Sequence, residues 1–245
     1  MLKGKLFLLL PVLAMMLLFS SCKKDNNPVG PSSTKFSDYL PVTVDTYWDF
    51  ESYETDSLGN RLGNPTTYRV KVKGPALIDG KQCTEFIQSD DGFITQQSTY
   101  LYIDGSKVWS YGLGEIIGQP KWFIMGDLQG TSWDIATVPL DGFEIEGYQL
   151  KGTMKITGSK GTTKKITVKG KSIDCQEFKM TISITGSVDY MGVPVALKST
   201  VVAHSWVGFG VGLVQTTTDP TKVEFSGLTT YQGGSDDILV DYLIK

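Results

Sequence analysis

A short pattern that occurs twice, in the same order, is the strongest constraint on how this 245-residue chain can fold. The first copy contains Thr46-Tyr47-Trp48-Asp49-Phe50, then Gly80-Lys81 and Cys83-Thr84-Glu85-Phe86; the second contains Thr131-Ser132-Trp133-Asp134-Ile135, then Gly170-Lys171 and Cys175-Gln176-Glu177-Phe178. Ordered recurrence of this kind is typical of a duplicated structural unit. The sequence therefore predicts two similar repeats, at about residues 46–111 and 131–216.

The local pattern within each unit is that of β-strands. Tyr68, Val70 and Val72 alternate with charged residues, and a second period-two stripe runs from Phe178 to Ile184. Such alternation indicates strands that are buried on one face. Glycine is frequent and helical periodicity is scarce, so we predict an all-β domain over residues 39–245, with further C-terminal strands. The expected fold is an antiparallel meander duplicated in two similar units, forming a curved sheet or half-barrel, or a sandwich.

The N-terminus has the three-part organisation of a secretory signal. Lys3 and Lys5 precede an apolar run from Leu6 to Phe19, which is shorter than the roughly 20 residues that a membrane-spanning helix needs. We expect residues 1–21 to be a signal peptide. Residues 22–38 are rich in polar residues, Pro, Gly and Ser, and we expect them to form a flexible tether. An uncleaved anchor is the alternative.

Ser20-Ser21-Cys22 resembles the lipobox of bacterial lipoproteins, although Phe19 stands where an aliphatic residue is usual. The resemblance implies cleavage before Cys22, a diacylglycerol on its sulfur and an acyl chain, such as palmitate, on the new amine. Several acyl chains, at about 0.8 kcal/mol per buried methylene, hold a protein durably on a membrane. A plain secretory signal with an incidental cysteine is the alternative interpretation.

The residues after Cys22 resemble a more specific group, the lipoproteins of Bacteroidetes. Lys23-Lys24-Asp25 is similar to their N-termini, and Tyr47-Trp48 and Gly210-Val211-Gly212-Leu213-Val214 are similar to segments of uncharacterised members. The resemblance spans most of residues 39–216 and implies no activity. It implies a lipid-anchored protein of the outer membrane, facing either the periplasm or the cell exterior.

Composition excludes one class of partner. Without residues 1–21 the chain keeps 21 basic and all 26 acidic residues, a formal net charge of −5. Nucleic-acid binders need a basic surface, so we expect no nucleic-acid partner.

Cys83 and Cys175 are the cysteines that remain after lipidation of Cys22. They occupy matching places in the two units, and an exported protein permits a disulfide between them. Connectivity cannot be read from spacing, so two separate thiols are the alternative, which we favour.

The chain lacks the motifs of common catalytic sites. His204 is the single histidine, there is no Gly-x-Ser-x-Gly nucleophile turn, and no glycine-rich phosphate loop occurs. A zinc site needs three or four ligands, which the chain would supply only by chance. We interpret Asp236-Asp237 as a solvated loop. The sequence therefore predicts no enzyme, no cofactor and no metal site.

Three function hypotheses follow. Trp109, Trp122 and Tyr148 are candidate contacts for a glycan or an envelope protein on an exposed aromatic surface. A carrier of an apolar small molecule would instead need an open concave face lined by residues such as Tyr68, Val70, Phe178 and Ile182. A purely structural envelope role is the third. The alternative class is a carbohydrate-active enzyme that uses Glu85 and Glu177 as paired carboxylates.

Overall fold

The structure, a computed structural model, describes residues 33–90, 96–114, 119–141, 143–145, 148–190 and 192–245. The predicted signal peptide, Cys22 and most of the predicted tether lie outside these ranges, as does the side chain of Tyr148. Within these ranges, one 3-10 turn, Phe36–Asp38, precedes fifteen strands. The strands are β1 (Tyr47–Thr55), β2 (Arg61–Ile78), β3 (Lys81–Asp90), β4 (Gln96–Asp104), β5 (Lys107–Gly112), β6 (Lys121–Asp127), β7 (Ser132–Pro139), β8 (Glu144–Ile145), β9 (Tyr148–Val168), β10 (Lys171–Tyr190), β11 (Val193–Gly208), β12 (Gly212–Thr218), β13 (Thr221–Phe225), β14 (Leu228–Gln232) and β15 (Ser235–Leu243).

The strands form one continuous antiparallel sheet, which confirms the all-β prediction. Their order is β6-β5-β4-β3-β2-β1-β15-β12-β11-β10-β9-β7, while β13 pairs with β11 and β14, and β8 with β9. Two meanders, β1 to β6 and β7 to β12, are therefore joined by the C-terminal strand β15, which pairs with both β1 and β12. Of the alternatives, a single curved sheet is the architecture observed.

The curved sheet nearly closes on itself, because its two end strands, β6 and β7, follow one another in the chain. At this seam the Trp133 indole N–H donates to the Ile124 carbonyl oxygen at 3.0 Å. The Lys160 ammonium donates to the Leu128 carbonyl oxygen at 2.6 Å. Side chains thus connect the seam where no strand ladder forms between β6 and β7.

The inner face of the sheet holds the hydrophobic core, which includes the fully buried Trp48 and Phe50. The segment before β1 enters this core: the Phe36 ring lies 5.2 Å from that of Phe178, and the Gly212 N–H donates to the Tyr39 carbonyl oxygen at 2.8 Å. Burying each large apolar side chain contributes about 1.5–3 kcal/mol. The N-terminal segment therefore fills this part of the interior.

That packing corrects the carrier hypothesis. Val70 and Phe178, expected to line an open concave face, are each 2% exposed. Tyr68 stacks on Phe50 with ring centroids 5.0 Å apart, and Ile182 packs against the same core. Tyr68, Val70 and Phe178 therefore belong to a filled core and do not form an open apolar surface.

The two predicted units share one local feature. Asp79-Gly80 and Lys169-Gly170 form the two-residue turns of the β2–β3 and β9–β10 hairpins. All four residues have positive φ, between 49° and 75°, as in the type I′ turns that suit the twist of a hairpin. Whether the units arose by duplication stays a prediction.

Two segments differ from what their local sequence indicates. Residues 61–65 contain the Gly, Asn and Pro that are typical of a turn, but they begin β2, in which Arg61 and Leu62 pair with Thr55 and Glu54 of β1. Residues 148–168 form one long strand although they include four glycine or serine residues. The apolar residues 122–125 form part of the end strand β6.

Candidate functional site

An aromatic cluster covers the outer side of β4, β5 and β6. The cluster, called here the aromatic face, consists of Tyr100, Tyr102, Trp109, Tyr111 and Trp122. Tyr102 pairs with Trp109, and Tyr111 pairs with both Tyr100 and Trp122. Directly paired residues project to the same side of a sheet, and side chains alternate along each strand. The intervening residues Leu101, Val108, Ser110 and Phe123 are accordingly buried on the inner side.

The rings of the aromatic face contact one another. Trp122 lies between Tyr102 and Tyr111, with ring centroids 6.1 Å and 5.3 Å away and interplanar angles of 72° and 56°. Edge-to-face and tilted pairs of this kind are favourable geometries for aromatic rings. All five side chains are half-buried, so the face presents ring surface to solvent.

The two tryptophans of the aromatic face have an unusual polar feature. The indole N–H groups of Trp109 and Trp122 are both buried, and neither has a hydrogen-bond partner among the described residues. Leaving a buried donor unpaired costs about 1–3 kcal/mol. By contrast, the indoles of Trp48 and Trp133 each donate to a backbone carbonyl.

Polar groups from β3 and β4 border the aromatic face on one side. The Lys81 ammonium lies 4.9 Å from the ring centroid of Tyr102 and 5.8 Å from that of Trp109, within cation–π range. Glu85, paired with Tyr100, accepts from Ser98 at 2.8 Å and from Lys73 at 3.0 Å. An exposed aromatic surface with hydrogen-bonding groups at its border can contact the apolar face of a ring-shaped ligand and bind its hydroxyls.

A second cluster of functional groups lies on the outer side of β10 and β11. Glu177 accepts from the Thr162 N–H at 2.9 Å and lies 2.7 Å from Nδ1 of His204. Nε2 of His204 lies 3.2 Å from Asp219. Ionised carboxylates only accept hydrogen bonds, so a histidine that contacts two of them donates to both when its ring is doubly protonated.

Burial alone would raise the pKa of Glu177, but hydrogen bonds from His204 and Thr162 and the nearby Lys179 charge hold it below its usual value. The carboxylate therefore serves as an ionised partner of His204. No group of three or more potential metal ligands occurs within the part of the chain that the structure describes.

The two carboxylates of the enzyme hypothesis do not meet. Glu85 lies in β3 and Glu177 in β10, with five strands between them in the sheet. Six strand spacings correspond to about 29 Å along the sheet, and both side chains face outward. Glycosidases hold their two carboxyl groups about 5–9.5 Å apart. Glu85 and Glu177 therefore cannot act together on one glycosidic bond.

The two cysteines are separate thiols, which is the alternative that the sequence analysis favoured over a disulfide. Cys83 in β3 and Cys175 in β10 are both free and buried. The two strands are far apart in the sheet order, and each thiol lies near a carbonyl oxygen of its own surroundings, Ala76 or Ile173. Burial raises the pKa of Cys175 to about 12, so this thiol is poorly reactive.

Of the predicted ligand contacts, the structure brings Trp109 and Trp122 together on one face, whereas the side chain of Tyr148 lies outside the described residues. Sequence reasoning did not identify Tyr102, Tyr111 and Lys81 as neighbours of these tryptophans. The signal was available in part, because Tyr100-x-Tyr102 and Trp109-x-Tyr111 place aromatic residues at period two on either side of the Asp104-Gly105 turn.

Comparisons with other proteins add little. No protein-family model and no curated protein matches the chain. A candidate lipoprotein from Parabacteroides distasonis is 12% identical, with a TM-score of 0.48 over 86% of this chain and 100% of the other. A candidate exported protein with a YmcC-like fold from Bacteroides fragilis is 9% identical, with a TM-score of 0.39 over 84% of this chain and 98% of the other. Across the described ranges, no helix has the length and apolar character needed to cross a membrane.

Proposed function

We propose that the protein is a lipid-anchored envelope protein that binds glycans on its aromatic face and does not catalyse a reaction. One observation carries the proposal: five aromatic side chains from three adjacent strands lie together on the outer side of the sheet. The inner side of the same strands already supplies the core. The outer rings are therefore not needed to fill the interior.

The surroundings of the rings favour a glycan over a purely apolar ligand. The face lies on the outer surface, and the interior expected for an apolar cargo is filled by Phe36 and its neighbours. Lys81 and Glu85 offer a donor and an acceptor at the border. A sugar ring stacked on Trp122 would bury its apolar face against the indole ring.

The lipobox supports the anchored location. Acylation at Cys22 would fix the protein to the outer membrane, and the tether would separate the domain from the bilayer. The predicted tether is shorter than residues 22–38, because Phe36–Asp38 form a 3-10 turn and Phe36 is buried in the core. A flexible linker of 14 residues, the number from Cys22 up to that turn, has a root-mean-square length of about 21 Å. This reach suits either the periplasmic or the exterior face.

A glycan array tests the binding proposal. The full chain in detergent is compared with Trp122→Ala and with the control Tyr231→Ala, which removes an aromatic ring that is 54% exposed on β14. We expect wild type and Tyr231→Ala to bind the same glycans and Trp122→Ala to lose them. Binding that survives in Trp122→Ala, or no binding by wild type to any glycan, would contradict the proposal.

A mass measurement tests the lipid anchor. Intact-mass spectrometry of the full chain expressed in a bacterial host should show a diacylglycerol adduct and loss of residues 1–21, both abolished by Cys22→Ala.

A second measurement tests the absence of catalysis. Bound glycans should be recovered intact after prolonged incubation with the protein. Release of new reducing ends by wild type would show that the protein is an enzyme.

A further inference from the structure

A lysine of β3 places a positive charge on the aromatic face. Lys81 is the first residue of β3, directly after the Asp79-Gly80 turn, and its side chain reaches rings of β4 and β5. Its ammonium lies 4.9 Å from the ring centroid of Tyr102 and 5.8 Å from that of Trp109. Two of the five rings of the aromatic face are therefore within cation–π range of one charged group.

The charge of Lys81 has no carboxylate partner in the part of the chain that the structure describes. Asp79 and Asp104, the exposed carboxylates of the two nearest turns, form no ion pair with it. An ammonium has three N–H donors, and contact with a ring face does not neutralise its charge. Lys81 therefore offers a ligand both hydrogen-bond donors and a positive charge.

The carboxylates that border the aromatic face, by contrast, already have cationic neighbours. Glu85 accepts from the Lys73 ammonium at 3.0 Å. Asp127 accepts from the Ser106 hydroxyl at 2.8 Å and lies 4.0 Å from the Lys107 ammonium. The charge that lacks an ionic partner and also contacts the rings is thus a positive one.

We propose that the glycan bound by the aromatic face is acidic, with a ring carboxylate that pairs with Lys81. This inference rests on the proposed glycan binding and names the class of sugar that the face selects. A uronic acid has the ring of a neutral hexose but carries a carboxylate in place of the terminal hydroxymethyl group. The ring contacts the aromatic side chains, and the carboxylate accepts from the Lys81 ammonium in a charge-assisted hydrogen bond.

The positions of the rings and of Lys81 allow both contacts in one ligand. Tyr102 is the common neighbour, because its ring centroid is 6.1 Å from that of Trp122 and 4.9 Å from the Lys81 ammonium. A disaccharide in contact with Trp122 can therefore present an acidic group of its neighbouring ring to Lys81. Charge complementarity of this kind favours specificity for one ligand class over another.

A purely structural role for Lys81 is the alternative. A cation–π contact at an exposed site contributes about 0.5–1 kcal/mol without any ligand. In that role Lys81 would stabilise the rings of Tyr102 and Trp109 but would not change which sugars bind. Selectivity between acidic and neutral sugars is therefore the property that separates the two roles.

Calorimetric titration of matched disaccharides into the full chain in detergent tests the inference. The two members of each pair share their linkage and differ in the terminal ring: glucose and glucuronic acid, galactose and galacturonic acid, or mannose and mannuronic acid. We expect the acidic member of at least one pair to bind about three- to five-fold more tightly, which is the strength of a good exposed ion pair. The preference should shrink at high ionic strength, because salt screens exposed charges.

Three variants locate the preference on Lys81. Lys81→Gln should abolish it, whereas Lys81→Arg, which keeps the positive charge, should retain it. The matched control is Lys171→Gln, because Lys171 follows Gly170 as Lys81 follows Gly80 but lies on β10, distant from β3 in the sheet order. Lys171→Gln should select sugars as wild type does. Both lysines are exposed, so we expect the variants to fold, and circular dichroism checks this.

Three results would each overturn the inference: equal binding of the acidic and neutral members in every pair, no binding of any member of any pair, or a preference that survives in Lys81→Gln. Its failure can be told apart from that of the proposed function. If glycans bind through Trp122 without preference for an acidic ring, only the acidic-glycan inference fails. If wild type binds no glycan of the array either, both proposals fail.

Discussion

The strands β1–β2–β3 and β7–β9–β10 carry the same sequence pattern but hold its tryptophan in different surroundings. Trp48 in β1 is fully buried, whereas Trp133 in β7 is half-buried at the seam. Both indole N–H groups donate to a backbone carbonyl, that of Val211 at 2.6 Å and that of Ile124 at 3.0 Å. The hydrogen bond is common to both, so burial is the main difference between them.

The acidic residues of the pattern differ in a similar way. Asp49 forms a two-bond pair with Arg69 at 2.6 and 2.7 Å, whereas Asp134, with its side chain 74% exposed, contacts Lys155. Glu177 is 4% exposed and bonded to His204, whereas Glu85 lies at the border of the aromatic face. Position in the sheet explains the contrast between the two aspartates, because β1 is flanked by two strands and β7 ends the sheet. The glutamates both lie in interior strands, and their contrast comes from the side chains that pack over them. A shared motif therefore does not imply a shared energetic role.

The largest expected effect concerns the two tryptophans. Trp48→Ala should lower the free energy of unfolding by about 3–5 kcal/mol, because it leaves a cavity in the core. Trp133→Ala should lower it by about 1–2 kcal/mol, since part of the ring already contacts solvent. Urea denaturation followed by circular dichroism measures both. Equal losses would show that burial does not distinguish the two positions.

The second-largest difference in stability is expected between variants of the two glutamates. Glu177→Gln should cost about 1–3 kcal/mol, because it removes a buried charge that bonds His204 and the Thr162 N–H. Glu85→Gln should cost under about 1 kcal/mol, since its partner Lys73 is largely exposed. The same denaturation assay gives both values. A larger loss for Glu85→Gln would contradict the contrast.

Glu177 also predicts a pH dependence. Burial alone would raise the pKa of Glu177. Hydrogen bonds from His204 and Thr162 and the charge of Lys179 nevertheless hold this pKa below its ordinary value of 4.5 in the folded protein. The unfolded chain therefore takes up a proton first as the pH falls. The stabilisation is present above pH 4.5 and is lost as the pH falls through the folded pKa. Unfolding curves from pH 7 to 3 should show a smaller acid loss in Glu177→Gln than in wild type, and parallel curves would argue against this role.

The smallest effect concerns the two aspartates. Asp49→Asn should cost about 0.5–1 kcal/mol, because its pair with Arg69 is bidentate and partly buried. Asp134→Asn should change stability by less than about 0.3 kcal/mol, as expected for an exposed ion pair. Thermal unfolding at low and high salt measures the stability change in both variants. A loss of stability in Asp134→Asn that does not depend on salt would contradict the prediction that its ion pair is exposed.

Period-two alternation predicted most strands correctly because it reflects which face of a strand is buried. It could not predict where β15 inserts, since pairing between residues 235–243 and both β1 and β12 depends on contacts distant in sequence. The same insertion explains Asp237, which looks like part of a solvated loop and is instead buried in a strand. Residues 61–65 have the composition of a turn, but they lie in β2, and Arg61 and Leu62 pair with Thr55 and Glu54 of β1.

The candidate site was predictable only in part. Trp109 and Trp122 stand out as aromatic residues near turns, but their meeting depends on the β5–β6 register. The period-two stripe from Phe178 to Ile184 predicts that Glu177 projects to the opposite, outer side, and the observed pairing agrees with this direction. Glu177 is nevertheless buried, because His204 and Thr162 pack over the outer side of β10. This burial is caused by side chains of neighbouring strands, so the sequence around Glu177 does not indicate it.

The most direct test of the central claim is calorimetric titration of the strongest array glycan into wild type and into the Trp109→Ala/Trp122→Ala double variant. We expect the wild type to bind and the double variant, folded by circular dichroism, to bind at least about 30-fold more weakly, as loss of two stacking residues implies. An unchanged dissociation constant in the double variant would show that the aromatic face is not the binding surface.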